Sequence, residues 1–328
     1  MAPVSVLIPA YKPNFLRQAI ASVLAQSFSD YELLISDDCP DDGVKQVVAE
    51  FGDRRIRLLE GPRQGLVPNS MFLFEQARGE FLKFVYDDDF LWPFAIDRLG
   101  QALVAEPKAG FAFCLRYMVD AQGREIGHPG GYNEGPLRRL TGDFARNYLL
   151  SNVSNFIGEP TNILIRKSVV GNSECLRQYA GFRIRHLIDV AFYLNALDRG
   201  PAMAVRERLA AFRHHGDQMT SNRNPGFAIG VIEWELMIRH EFSAGRLQET
   251  GALEGLRNLD RRYGAFSPYY PEVNAFRDGL DRLAERIQAE DRQLVDGEFL
   301  GLMDAADEAV RRRIEDRRAA AVMTAADA

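Results

Sequence analysis

Between residues 4 and 104 the chain alternates short apolar runs with stretches of helical period, and this rhythm leaves few folds open. Residues 4–8, 31–36, 56–59 and 81–86 read as strands, and 15–25, 43–51, 67–77 and 95–104 as helices. Strands alternating with helices of this length build βαβ units and a mostly parallel sheet. Helices cover both faces of such a sheet, so its strands are continuous apolar runs rather than alternating ones. A sheet of this kind binds its ligands at the carboxyl ends of its strands.

Past residue 110 the rhythm changes. A long strand is expected over 111–119, with a turn at Asp120-Ala121-Gln122-Gly123 leading into a second one. Residues 127–135 hold four glycines and a proline and read as a loop. A short strand follows at 162–165, a helix at 184–197 and a strand at 204–214. Residues 221–226 (Ser-Asn-Arg-Asn-Pro-Gly) read as a linker. Beyond it the pattern is helical. Val273, Phe276, Leu280, Leu283, Ile287 and Leu294 form one apolar stripe, and Phe299, Leu302, Met303, Ala306, Val310 and Ile314 form a second. At roughly 150 residues per domain, 328 residues make about two domains. The expected division is a ligand-binding half over 1–110, an acceptor-side half over 111–221 and a helical region over 222–328. These helices are expected to serve packing, on the enzyme or on another subunit, or self-association rather than chemistry, with a homodimer through them preferred because an exposed stripe of this size would be a liability.

Composition narrows the classes further. A net charge of −6 offers no basic field for nucleic acid. Three cysteines at wide spacing, with no C-x-x-C, argue against a disulfide framework or a thiolate zinc site. There is no basic leader followed by a long apolar stretch, and no run of ~18 apolar residues, so neither a signal peptide nor a membrane span is expected. The expected location is cytoplasmic, with a peripheral place at the inner membrane face open to it. Arg311, Arg312, Arg313, Arg317 and Arg318 could meet an anionic surface, but Glu308, Glu315 and Asp316 favour a solvated, internally paired helix face. The Gly-rich phosphate loops, the G-x-S-x-G elbow and H-E-x-x-H are all missing.

The chemistry lies in the acids. Asp87-Asp88-Asp89 directly follows the buried run 81–86. Three adjacent carboxylates repel one another, and a hard cation that also takes phosphate oxygens is the usual compensation. Asp37-Asp38 closes another buried run, where a carboxylate can accept from a ribose hydroxyl or a base N–H. Capping and turn chemistry is the competing reading for that pair, and the favoured one for Asp41 and Asp42.

Four stretches together resemble the family 2 glycosyltransferases. Ser5-Val6-Leu7-Ile8-Pro9-Ala10-Tyr11-Lys12 is similar to their opening strand and Pro-x-Tyr-Asn, with Lys12 in place of Asn. Residues 37–44 match the acids of Asp-Asp-x-Ser-x-Asp-x-Thr, with Pro40 and Val44 in place of Ser and Thr. Phe84-Val85-Tyr86-Asp87-Asp88-Asp89 with Pro93 resembles the strand, D-x-D and following proline. Phe212-Arg213-His214-His215-Gly216-Asp217-Gln218 resembles the Tyr-Arg-x-His-x-x-Gln segment. The likeness spans about residues 3–221.

The resemblance implies a GT-A fold, a Rossmann-like mixed α/β sheet flanked by helices, here with a C-terminal helical appendage. It implies an inverting transferase with a nucleotide-sugar donor, a UDP-sugar first and GDP- or dTDP-sugars next. The acceptor would be a glycan, a lipid-linked glycan or a protein. Pro9 and Tyr11 would line the base pocket, and Asp37 or Asp38 would hold base or ribose. Asp87 and Asp88 would face the diphosphate with Arg213, while Asp88, Asp89 and His215 would hold Mn²⁺ or Mg²⁺. Asp189 would be the base, with Ile188 where the family often carries a second acid. His186, three residues earlier, could orient it. Gly158-Glu159-Pro160-Thr161 resembles an acceptor-side segment. A nucleotidyltransferase and a catalytically silent binding module are the competing readings. The first lacks its Gly-rich loop here, and the second would have lost its acids.

Overall fold

The computed structural model describes residues 3–129, 137–216 and 226–326, with side chains described through residue 316. Parts of the expected loop (130–135) and linker (221–225), together with Gln218 and the side chains of Arg317 and Arg318, lie outside them. The chain forms two compact units. One comprises Met1–Ala145, Asn155–Phe182 and Ile188–His215, the other Arg146–Ser154, Arg183–Leu187 and Gly216–Ala328.

The first unit opens with β1 (Val4–Ala10), α1 (Leu16–Leu24), β2 (Tyr31–Asp37), α2 (Gly43–Ala49), β3 (Ile56–Glu60), α3 (Leu66–Gln76) and β4 (Phe81–Phe84). It continues through β5 (Phe90–Leu91), α4 (Ala95–Ala105), β6 (Phe111–Val119), β7 (Glu125–Gly127) and β8 (Leu137–Leu140). Helix α5 (Gly142–Asn152), whose residues from Arg146 onward belong to the second unit, precedes β9 (Ile163–Arg166), α6 (Lys167–Val170), the small hairpin β10 (Gln178–Tyr179) and β11 (Phe182–Arg183), α7 (Ile188–Leu197) and β12 (Ala202–Arg213). The main sheet runs β3-β2-β1-β4-β9-β6-β12-β5. Strands β1 to β4 pair in parallel, as do β6 and β12, while β9 is antiparallel to both its neighbours. This is the mixed, helix-flanked sheet expected.

All seven residues of β1 are buried. Its one polar side chain, Ser5, is satisfied by donating to Glu32 and accepting from the Gly79 N–H. A Cβ at Gly79 would lie 2.4 Å from the Ser5 nitrogen, so only glycine lets this turn reach the strand. Strand β4 stops at Phe84, two residues short of the expected end, because residues 86–89 turn back on themselves through the Asp89 N–H and Tyr86 carbonyl. Helix α7 begins at Ile188 rather than 184. The N–H groups of residues 185–187 go to the Glu233 side chain instead of into a helical turn.

The second unit holds α8 (Gly226–Ser243), α9 (Glu249–Phe266), α10 (Asn274–Asp278), α11 (Leu280–Gln288) and α12 (Gly297–Ala326). The first stripe is broken at Gly279, a weak helix former, and again after Gln288. Its side chains nevertheless all point inward: Val273, Phe276, Leu280, Leu283, Ile287 and Leu294 are buried within the unit. The expectation of a homodimer rested on this stripe being exposed, and that premise is corrected here. Since Leu283 is core, Leu283→Ala is expected to cost ~2–5 kcal/mol, read from urea unfolding of the full chain. In the basic run, Arg311 and Arg312 pair along their own helix with Asp307 and Glu308, the latter an expected partner, while Arg313 pairs with Glu272 of another element. No helix among the described residues is long and apolar enough to cross a membrane.

Candidate active site

The carboxyl ends of β1, β2 and β4 bring the expected residues to one edge of the sheet. β1 pairs with both other strands, so its end is shared. The backbone N–H groups of Tyr11 and Lys12 donate to Asp87 Oδ2 at 2.7 and 2.9 Å. Asp87 thus ties the end of β1 to the turn after β4, and its role is that of a staple. Burial and the neighbouring Asp88 push its carboxyl up to about 6, against the pull of the two N–H donors. Pro9 is buried in β1, while the Tyr11 ring is 52% exposed and offers an aromatic face beside the acids.

The Asp37-Asp38 pair divides its work. Asp38 accepts from the backbone N–H groups of Arg63 and Gly65 and shapes the loop into α3. Asp37 Oδ1 accepts from the Cys39 N–H, and its buried Oδ2 has no hydrogen-bond partner among the described residues. Asp41 accepts from the Gly43 N–H in a turn, as favoured from sequence, and Asp42 sits at the α2 N-cap beside Lys45.

At the triplet the structure turns two of the expected residues inward. Asp89, expected as a direct cation ligand, is 1% exposed and both its oxygens are used: Oδ2 accepts from Thr161 Oγ1 and Oδ1 from the Arg213 N–H. Burial and Asp88 raise its carboxyl well above the usual range. Arg213, expected to meet the diphosphate, is turned inward instead. Its guanidinium donates to the carbonyls of Asp88, Asp120 and Ala121 and to Gln18 Oε1, and lies 4.4 Å from the centre of the Phe15 ring. It holds the backbone of the triplet in place. Arg213→Met strips those acceptors of their donor in a buried site and is expected to cost ~3 kcal/mol or more, measured by chemical denaturation.

Asp88 keeps part of its side chain exposed, and His215 lies beside it, packed against the Phe15 ring. His215 Nε2 lies 3.1 Å from Asp88 Oδ2, and their side chains retain 10% and 26% exposure. One carboxylate and one imidazole suit Mg²⁺ or Mn²⁺ bound partly by its ligand's phosphate oxygens and water. Among the described residues no group of three His, Cys, Asp or Glu forms a complete cation site, so these two supply only part of a shell.

Asp189, in the first turn of α7, accepts from the Val190 N–H at Oδ1 and from Asn155 Nδ2 at Oδ2, 2.7 Å. Asn155 also donates to the Gly158 carbonyl and accepts from the Gly158 N–H. Gly158 has φ +97°, and a Cβ there would strike Asn162 Nδ2, so the turn needs glycine. Three residues on, Thr161 accepts from the Tyr86 N–H and donates to Asp89. The 158–161 turn therefore buckles Asp189 to the acidic triplet. Apolar neighbours, including Phe84, Pro160, Ile163, Ile188 and Phe192, line the hollow beside Asp189. Burial pushes its carboxyl up to about 6, with Glu159 adding to the rise. Glu159 itself pairs with Arg116 at 2.8 Å.

The expectation that His186 orients Asp189 is corrected. His186 belongs to the helical unit, where its ring packs edge-on against Phe227, and burial lowers its pKa to about 4. Asn155 holds the carboxylate instead. Asn155 and Gln18 are the site residues that sequence reasoning missed, while Thr161 was singled out only as part of an acceptor-side segment and not as a partner of Asp89. Glycine at position 158 was the one local signal for the turn.

A mixed α/β sheet with acids at its strand ends, a carboxylate–imidazole pair and a separate carboxylate pushed toward neutrality are the features of a group-transfer enzyme. Residues 5–172 match the family model for glycosyl transferase family 2, and the chain belongs to that family. An uncharacterised Mycobacterium tuberculosis protein is 30% identical over 223 residues, 64% of this chain and 67% of that one. The Campylobacter jejuni GalNAc(5)-diNAcBac-PP-undecaprenol beta-1,3-glucosyltransferase is 37% identical over 106 residues, 31% of this chain and about a third (34%) of that protein's length. The Staphylococcus aureus TarS 1–349 structure, in complex with UDP-GlcNAc, aligns with a TM-score of 0.55 at 15% identity, over 94% of this chain and 92% of that one. That last likeness is one of fold.

Proposed function

We propose that this protein transfers a sugar, with inversion, from a nucleoside-diphosphate sugar to an acceptor hydroxyl, with Asp189 as the general base. The observation that carries the reading is the state of Asp189. Its carboxyl is pushed up to about 6 and held by Asn155 on the turn that also reaches the triplet through Thr161. A base near that value is ionised at neutral pH yet basic enough to take a proton from an attacking hydroxyl. The exposed Tyr11 ring supports stacking on a nucleobase, with Pro9 behind it and Asp37 Oδ2 as an acceptor for base or ribose. Asp88 and His215 would hold Mn²⁺ or Mg²⁺, which supplies positive charge against that developing on the leaving diphosphate. Asp87, Asp89 and Arg213 keep Asp88 in position.

A UDP-sugar is the favoured donor, supported by the UDP-GlcNAc complex of TarS. An acceptor glycan carried on a lipid diphosphate is favoured by the name of the Campylobacter relative and places the work in glycan synthesis. Such an acceptor would bring a cytoplasmic enzyme to the inner membrane face. The test is a thermal-shift screen of UDP, GDP and dTDP and their sugars with Mn²⁺, followed by hydrolysis assays. Binding to the native state raises its stability. Stabilisation by UDP and slow release of UDP from a UDP-sugar are expected. A nucleoside triphosphate bound and turned over with a sugar phosphate would favour a nucleotidyltransferase. Binding without turnover would favour a silent module.

A further inference from the structure

In the helical unit, residues 185–187 are held in three ways. The Glu233 side chain, in α8 and 2% exposed, accepts from three successive backbone N–H groups: Arg185 at Oε1 (2.6 Å), and His186 and Leu187 at Oε2 (3.1 and 2.7 Å). The His186 ring lies 5.1 Å from that of Phe227 and rests on Gly230, where a Cβ would come within 2.6 Å of the ring. The Arg185 guanidinium pairs with Asp307 at 2.8 Å. Burying a carboxylate is costly, and a core helix has no packing need for one. Here three bonds to one short stretch of backbone offset part of that cost, and burial still pushes the carboxyl up to about 7. Two residues further along the chain stands Asp189.

We infer that Glu233 is a positioning residue for the transfer reaction: by pinning the backbone of residues 185–187 it sets the start of α7 and the place of the Asp189 carboxylate. The inference rests on Asp189 being the base. It assigns the helical unit a part in the chemistry, where the sequence suggested packing or self-association alone. A displacement of the order of 1 Å at a reacting group can cost ~10²-fold in rate, so a grip of this kind has consequences for turnover.

The test uses the full chain and the variants Glu233→Gln, Gly230→Ala and Asp189→Asn. Glutamine keeps the size of Glu233 but turns an N–H group toward N–H donors. Without any substrate, hydrogen exchange at residues 185–190 should quicken in Glu233→Gln. The ¹³C titration midpoint of the Asp189 carboxyl should also move away from about 6. With UDP-glucose and UDP-GlcNAc plus Mn²⁺, kcat should fall ~10-fold or more while KM stays within about twofold. In the double variant with Asp189→Asn the Glu233 effect should vanish, because no base is left to position. Gly230→Ala presses on the same segment from the His186 side and should act in the same direction, so a poorly folding Glu233→Gln does not end the test. Unchanged exchange with an unmoved titration, or effects of Glu233 and Asp189 that simply multiply, would overturn the inference while leaving Asp189 as base. Wild-type turnover in Asp189→Asn would instead remove the base reading, and this inference with it.

Discussion

Asp189→Asn should bind the donor as the wild type does and turn it over ~10²–10⁴-fold more slowly, the usual contribution of a positioned base. Asparagine is nearly isosteric, and the bonds from Asn155 and the Val190 N–H reach the side chain, not a cation. UDP binding, followed by calorimetry with Mn²⁺, should therefore stay put. The pH profile gives an independent reading. Burial raises this carboxyl to about 6, and a base works only when ionised. Turnover should consequently rise with pH through about 6 and fall off below it, whereas a carboxyl at the ordinary aspartate value would stay active well below pH 5. A flat profile between pH 5 and 8, or an Asp189→Asn enzyme with wild-type kcat, would move the role to Glu159. Glu159 is paired with Arg116, and breaking that pair would be part of taking on the role.

The second large effect concerns the cation. Chelation should abolish turnover and Mn²⁺ or Mg²⁺ should restore it. Within the triplet, the residues should separate by kind of damage. Asp88→Ala and His215→Ala should each lose Mn²⁺ binding and ~10²-fold or more of turnover, and Asp88→Ala should do so with little loss of stability, because its side chain keeps 26% exposure. Asp89→Ala should instead show first in unfolding experiments. It leaves the Arg213 N–H and the Thr161 hydroxyl without their acceptor, at about 1–3 kcal/mol for each buried group. If Asp89→Ala lost the metal while remaining as stable as the wild type, Asp89 would be a direct ligand after all. Full activity in excess chelator would dispose of the cation altogether.

Much of the sheet was legible because its signal is local. A run such as residues 4–8 is apolar throughout only if both faces are covered, and β1 proves to be buried at every position. The strand over 111–119 lies where it was expected. The acids were legible for a similar reason, since carboxylates at the end of a buried strand need an explanation within a few residues. The role of each acid was not. Asp87, Asp88 and Asp89 are one residue type in one run, and a staple, a part-exposed carboxylate and a buried strut differ only in which distant groups come to meet them.

The C-terminal stripe shows the same division. Its apolar spacing was read correctly, yet whether such a face meets solvent, a second copy or its own unit depends on where the neighbouring helices go. They cover it. Asp189 was found by its place in a motif, but its partner was misassigned. Helical spacing favoured His186 three residues away, and the backbone there is not helical.

The sequence by itself determined the order of elements, the parallel start of the sheet and the edge at which acids gather. Those follow from propensity and burial within a few residues. Only the tertiary structure decided who holds each acid. Asn155 reaches Asp189 across 34 positions, Glu233 reaches Arg185 across 48, Thr161 reaches Asp89 across 72 and Arg213 reaches Gln18 across 195. A hydrogen bond depends on separations of about 3 Å in space, and no local pattern carries such a separation across so many residues of chain.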